Sequence, residues 1–251
     1  MANLLNIISG YLEILHSVPL FTIETFMYAL IGGVLPAVFW LWFWMHESND
    51  HHEPKDIIFL SFIAGMIGVF VVYPLQKISV SLFDLMDGNL SAIYIWAIIE
   101  EAVKFGAAWL VALRLKNVYD QPIDSFIYMM SVALGFAAME NTLFLLTPLF
   151  NGDMVASVLT GTARFMGASL LHVAASGVFS VFVGYSFYKK KLGKVSWALV
   201  GLIAAGIIHT IFNYIIVISD EQNMFIAFSF VWISIILLIL SLEKVKMIKK
   251  F

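Results

Sequence analysis

The 251-residue chain contains no cysteine, and only 12% of it is charged. The first absence removes disulfides, thiolate metal sites and a cysteine nucleophile together, so any metal held here must use nitrogen and oxygen donors. The second argues against a water-soluble domain, in which about a quarter of the residues carry charge. There is also no internal repeat, low-complexity tract or polar linker, so nothing divides the chain, and 1–251 reads as one integral membrane domain. The formal net charge of −3 supplies no basic surface for nucleic acid.

What is present is apolar. Hydrophobic residues make up 61% of the chain, and they gather in runs long enough for a bilayer at about 20 residues per helical crossing. The spacing of charge around these runs predicts an all-α, polytopic transmembrane bundle of seven spans: Thr22–Met45, Ile57–Tyr73, Ser91–Leu113, Ser125–Thr147, Val155–Tyr188, Trp197–Ser219 and Met224–Leu242. The fifth run exceeds a straight crossing, so it must tilt, kink near Gly161 or Gly167, or begin as a separate outer helix. Met1–Pro19 carries Glu13 and His16 among apolar residues and no basic n-region, which predicts an interfacial helix or an eighth span in place of a cleaved signal peptide. Trp40, Trp42 and Trp44 read as an aromatic belt, and His46, Asp50, His51, His52 and Glu53 as a solvated loop. Basic residues cluster after spans three, five and seven: Arg114 and Lys116, then Lys189, Lys190, Lys191 and Lys194, then Lys244, Lys246, Lys249 and Lys250. Basic loops stay inside, so a cell-membrane protein with a cytoplasmic C-terminus is expected.

Ionisable groups inside the hydrocarbon layer demand a reason, since each costs about 2.5–3.5 kcal/mol at the centre on insertion scales. Span three carries Glu100, Glu101 and Lys104; span four carries Glu140 and Asn141; span five carries Arg164, His172 and Ser176; span six carries His209 and Asn213. Counted from the helix ends at 1.5 Å per residue, Glu100, Glu140, His172 and His209 fall at a similar depth. Within the helices, residues four apart share a face, which pairs Glu100 with Lys104, His172 with Ser176, and His209 with Asn213. Two imidazoles and a carboxylate from separate helices can hold a zinc ion, and a further glutamate can take a proton from water and pass it to a leaving amine. In this reading Glu140, His172 and His209 are metal ligands, Glu100 or Glu101 is the general base, and Lys104 keeps a carboxylate ionised. Asn213 and Ser176 orient ligands or donate to an oxyanion, and Arg164 binds an anion, pairs with a site glutamate or reaches the interface. A metal-free variant uses Glu100 as base and the histidines to polarise the carbonyl. The rival reading is a proton- or ion-coupled transporter with a mid-membrane relay, but such proteins are usually built from matched halves, and none is visible.

The series Glu100-Glu101-x-x-Lys104, Phe136-x-x-x-Glu140-Asn141, His172 with Ser176, and His209-x-x-x-Asn213, on consecutive helices, resembles the PrsW-type intramembrane proteases, relatives of the type II CAAX prenyl proteases. The resemblance covers Ser91 to Tyr214, the core carrying the four active-site helices. It implies a metallopeptidase that cuts a single-span or otherwise membrane-anchored protein, such as an anti-sigma factor in stress signalling. CAAX-type enzymes carry Glu-Glu-x-x-x-Arg and a histidine where this chain has Glu140, which places the resemblance on the PrsW side.

Overall fold

A computed structural model of the chain describes residues 23–47, 53–85, 89–218 and 224–248. The expected N-terminal element over Met1–Pro19 and the loop residues Asp50, His51 and His52 lie outside the described residues. The described residues are mostly helical, with no strand among them: α1 Ile23–Glu47, α2 Lys55–Phe83, α3 Leu90–Ala108, α4 Asp124–Phe150, α5 Met154–Ala163, α6 Ser169–Tyr185, α7 Lys191–Ile218 and α8 Met224–Lys246. A π-helical turn, Trp109–Leu113, extends α3, and another, Arg164–Ala168, joins α5 to α6 into one span of 32 residues. Among the described residues, six helices are long and apolar enough to cross a membrane. The seventh long element, α3, differs in packing Glu100, Glu101 and Lys104 into little more than one turn.

Helix α4 is the post around which the others stand. It is apolar on all sides, as a helix enclosed by protein is, and from Asp124 to Ala138 every residue is buried. Helices α1 and α2 pack on one part of it and α6 on another, while α3 fits between α2 and α7, and α8 closes against α6. Small residues set the spacing, as expected where lipid provides no hydrophobic drive between helices. The α2–α4 contact is reciprocal: a Cβ at Gly65 would strike the Val132 carbonyl, and one at Gly135 would strike the Phe62 carbonyl. Where α7 crosses α3, Gly206 leaves room for Ile98.

Two boundaries differ from the sequence reading, and the long fifth run takes one of several forms left open by it. Helix α2 continues to Phe83 through Pro74, because a membrane helix tolerates a proline when its neighbours compensate for the lost bond. Helix α7 starts at Lys191, six residues before the expected Trp197, taking Lys191 and Lys194 into its first turns, where long cationic side chains can reach the interface. In α5–α6 the excess length is carried as one continuous run with a π turn that includes Gly167. The aromatic belt also needs correction. Trp42 is exposed, but Trp44 is 1% exposed and packs edge-on against Phe126 of α4. Positions 40 and 44 are four apart and turn toward the bundle, whereas position 42 faces out.

The Gly65–Gly135 contact generates a prediction. Gly135→Val should destabilise the folded protein by about 1–3 kcal/mol or more, since the intruding atoms meet backbone. Gly106→Ala, where nothing lies within 4 Å, should be near neutral. Thermal unfolding of the purified variants in one detergent compares them.

Candidate active site

The site is assembled on α3. Residues three and four apart on a helix are neighbours, so Lys104 folds back on both preceding glutamates, with Nζ 2.7 Å from Glu101 Oε1 and 3.8 Å from Glu100 Oε2. All three are buried, Glu101 and Lys104 completely. Burial of a charge is tolerable only where partners replace water. Glu101 is fully supplied: its Oε1 accepts from Lys104 and lies 3.0 Å from His209 Nδ1, and its Oε2 accepts from Ser176 at 2.6 Å. One carboxylate thereby joins α3, α6 and α7.

The two histidines meet their carboxylate partners through opposite nitrogens. An ammonium can only donate, so His172 Nδ1, 2.8 Å from Lys104 Nζ, accepts, and its Nε2 carries the proton toward Glu140 Oε2 at 3.0 Å. His209 is the reverse. Its Nδ1 donates to the Glu101 carboxylate, which leaves Nε2 facing Glu100 Oε2 at 3.6 Å. A histidine anchored by a carboxylate through one nitrogen, with the other turned toward a second group, is the arrangement that metal-binding histidines share. The rings lie 5.3 Å apart and nearly perpendicular.

Glu140, one helix over, is gripped by Arg164, which sits in the π turn and donates to Glu140 Oε2 and to Asn141 Oδ1. Asn141 in turn donates to Ser169 at 3.0 Å, and the guanidinium stacks 3.8 Å from the centre of the Phe144 ring. Of the three roles open to Arg164 from sequence, the structure shows pairing with a site glutamate.

These groups face a cavity of about 400 Å³ whose wall includes Glu100, Glu140, Arg164, His172, His209 and Asn213 among aromatic and aliphatic side chains. Glu101, Lys104 and Ser176 lie behind this wall as its internal bracing. Glu100 Oε1 accepts from Gln76 of α2 at 3.1 Å, whereas Glu100 Oε2 is buried with no hydrogen-bond donor. Gln76 was missed because the second span was ended before Pro74; an amide in an otherwise apolar helix was the available signal. Glu53, read as part of a solvated loop, accepts from Tyr128 of α4 at 2.5 Å.

Among the described residues, the donors that could hold a metal are Glu100, His172 and His209, with ligand atoms all within 4.8 Å of one another. The set expected from sequence contained Glu140 in place of Glu100. Glu140 instead spends its carboxylate on Arg164 and His172, while Glu100 presents the unpartnered oxygen. Two nitrogens and one oxygen suit zinc, and the buried orphan oxygen is the kind of atom that a cation would satisfy.

A multi-pass helical membrane protein with acids and imidazoles lining a cavity fits an intramembrane hydrolase or a proton-coupled transporter. Comparison with known proteins is more specific. Residues 53–240 match the family described as PrsW family intramembrane metalloprotease. The chain is 31% identical over 166 residues to Protease PrsW of Geobacillus kaustophilus, covering 66% of this chain and 68% of that protein. It is 22% identical over 221 residues to Protease PrsW of Halalkalibacterium halodurans, covering 87% and 95%. With Protease PrsW of Bacillus subtilis it shares 24% over 199 residues, covering 76% and 84%. No solved structure matches the chain. The chain belongs to the PrsW family of intramembrane proteases.

The Glu101–Lys104 pair can be tested for its bracing role. Removing one partner of a buried pair leaves an uncompensated charge, so Lys104→Met should cost about 3–5 kcal/mol. Adding Glu101→Gln to it should restore part of that loss. A double-mutant cycle on unfolding free energy in detergent reads the coupling.

Proposed function

We propose that this chain is an endopeptidase that hydrolyses a peptide bond in a membrane-anchored protein, with Glu100 as the pivotal carboxylate. The observation that carries the reading is the asymmetry of the two adjacent glutamates. Both oxygens of Glu101 are engaged, Oε1 by Lys104 and His209 and Oε2 by Ser176, whereas Glu100 Oε2 has no hydrogen-bond donor and lies at the cavity wall 3.6 Å from Nε2 of His209. A water on the cavity side of Glu100, beside His209, would give its proton to Glu100 and attack a carbonyl held in the cavity. Glu100 would then return the proton to the leaving amine. Glu101 holds His209 in its tautomer and is a positioning residue, as are Lys104, Ser176, Asn141 and Gln76. Arg164 and Asn213 line the cavity beside the place where the substrate backbone would lie.

A second form of the reading adds zinc, favoured by the convergence of Glu100, His172 and His209 and by the metalloprotease description of the family. A bound zinc would supply Lewis acidity that polarises the carbonyl and acidifies water. In that form Glu100, His172 and His209 would hold the ion, His172 once its contacts with Lys104 and Glu140 rearrange to free a nitrogen, and Glu140, left ionised beside Arg164, would be the acceptor for the proton from water. The metal-free form is favoured by the double engagement of His172, whose two nitrogens are already taken by Lys104 and Glu140.

The core, Ser91 to Tyr214, is extended by Gln76. The basic ends of α3, α6 and α8 lie together, since Gly184 of α6 adjoins both Val245 of α8 and the Pro122 carbonyl that follows α3. We assign that side and the C-terminus to the cytoplasm. A single-span regulator of the anti-sigma-factor type is the substrate that the family resemblance suggests.

Cleavage of single-span test substrates by the purified protein checks this. Glu100→Gln should lower kcat/KM by roughly 10²–10⁴-fold while leaving the protein folded, because the amide preserves the shape and the Gln76 contact. Retained activity in that variant rejects the reading. Chelator treatment separates the two forms: loss of activity that zinc restores supports the metal form, and full activity after chelation supports the metal-free form. In the metal form Glu140→Gln should be as damaging as Glu100→Gln.

A further inference from the structure

A second cavity, of about 630 Å³, lies between α3, α6 and α7 on the far side of the Glu101–Lys104 bracing, within the usual size of small-molecule sites. Phe105 and Phe179, in edge-to-face contact at 4.9 Å, form its inner end, one and three residues beyond Lys104 and Ser176. Its other end carries Arg114, Lys116 and Lys194. The proposed catalytic chemistry uses none of these residues.

The two ends are chemically unlike. Arg114 and Lys116 follow the last turn of α3 and Lys194 is in the first turn of α7, whereas Phe105 and Leu202 lie about nine and eight residues deeper in the same helices, or roughly 12–14 Å. No aspartate or glutamate lines the cavity, and none of the three cations has an ion-pair partner among the described residues. Between the ends the wall is apolar, and it opens sideways: Trp109, Val195 and Leu199 are each about half exposed on the outer surface of the bundle. A ligand that fits must be anionic at one end, hydrocarbon for more than 10 Å, and able to arrive from within the membrane.

We propose that this cavity seats one anionic phospholipid, its phosphate held by Arg114, Lys116 and Lys194 and an acyl chain lying along Trp109 and Leu199 toward Phe105. The alternative occupants fit less of the site. Inorganic phosphate would satisfy the cations and leave the apolar depth empty, and an acidic peptide would have to lay charged or polar backbone along a wall of aromatic and aliphatic side chains. Juxtamembrane cations commonly attract anionic lipid diffusely; here cations from the end of α3 and the start of α7 line one cavity, which makes the interaction stoichiometric.

The test uses the full-length purified protein and phosphatidylglycerol as the probe, with phosphatidylcholine as the neutral control. Native mass spectrometry across a lipid titration should show one tightly retained phosphatidylglycerol and no equivalent phosphatidylcholine. Phosphatidylglycerol with brominated chains should quench a component of tryptophan fluorescence that is missing in Trp109→Phe. The triple variant Arg114→Gln, Lys116→Gln, Lys194→Gln should weaken retention on the order of a hundredfold, at about fivefold per cation. A second variant, Ala198→Trp, keeps all three cations and fills the apolar part, and should also expel the lipid. Unchanged retention in either variant overturns the proposal. So does equal retention of phosphatidylcholine, or full displacement of the lipid by millimolar inorganic phosphate or by an acidic peptide.

Discussion

The structure depends on the contact between Glu101 and Lys104. A carboxylate and an ammonium with no exposed surface would each be costly alone, and neither would be tolerable in a helix facing lipid. Placed three residues apart on α3, they neutralise one another at 2.7 Å and use their remaining hydrogen-bonding capacity outward. Lys104 continues to His172 of α6; Glu101 continues to Ser176 of α6 and His209 of α7. The orientation of both imidazoles follows from these few bonds, as does the fact that three helices meet at one level. A buried network of this kind fixes geometry more than it adds stability, which is its usual role where charged groups persist inside proteins.

That constraint also explains the division of labour around the cavity. Both oxygens of Glu101 are engaged, whereas the adjacent carboxylate, Glu100, keeps one oxygen without a hydrogen-bond donor. Gln76 orients Glu100 through one oxygen, and the other faces His209 Nε2. Glu140 is restrained from a different direction by Arg164, which the π turn places beside it. Two carboxylates thus reach the same cavity with different partners, a pattern that lets neighbouring acids perform different tasks. The close α2–α4 packing at Gly65 and Gly135 matters here too, because α2 brings Gln76 and α4 brings Glu140.

Much of this was legible in the sequence, and for a physical reason. A charged residue in an apolar span is expensive enough to stand out, so Glu100, Glu101, Lys104, Glu140, His172 and His209 could be picked out singly, and their similar depth brought them together. Helical periodicity gave the stripes. What it could not give was azimuth between helices. Whether Glu100 or Glu140 meets both histidines depends on how α3 and α4 are rotated about their axes, and the sequence reading chose Glu140. Gln76 was hidden by Pro74, which marks a helix end in water and not in a membrane bundle. Trp44 was read as interfacial from its position along the chain, when its direction around the helix carries it inward against Phe126.

As a member of the PrsW family, the chain combines a cavity lined by carboxylates and imidazoles with walls that are otherwise largely apolar helix. Chemistry inside such a bundle needs groups that are polar enough to move a proton yet satisfied enough to stay buried. The Glu101–Lys104 network meets both conditions by holding the two histidines through hydrogen bonds that favour opposite tautomers. The most direct test is ¹⁵N solid-state NMR of histidine-labelled protein in lipid, with His172→Asn and His209→Asn to assign the two rings. The account predicts that His209 carries its proton on Nδ1 and His172 on Nε2, and that Glu101→Gln disturbs the first. A spectrum in which His209 is protonated on Nε2 alone, or is unaffected by loss of the Glu101 charge, would contradict it.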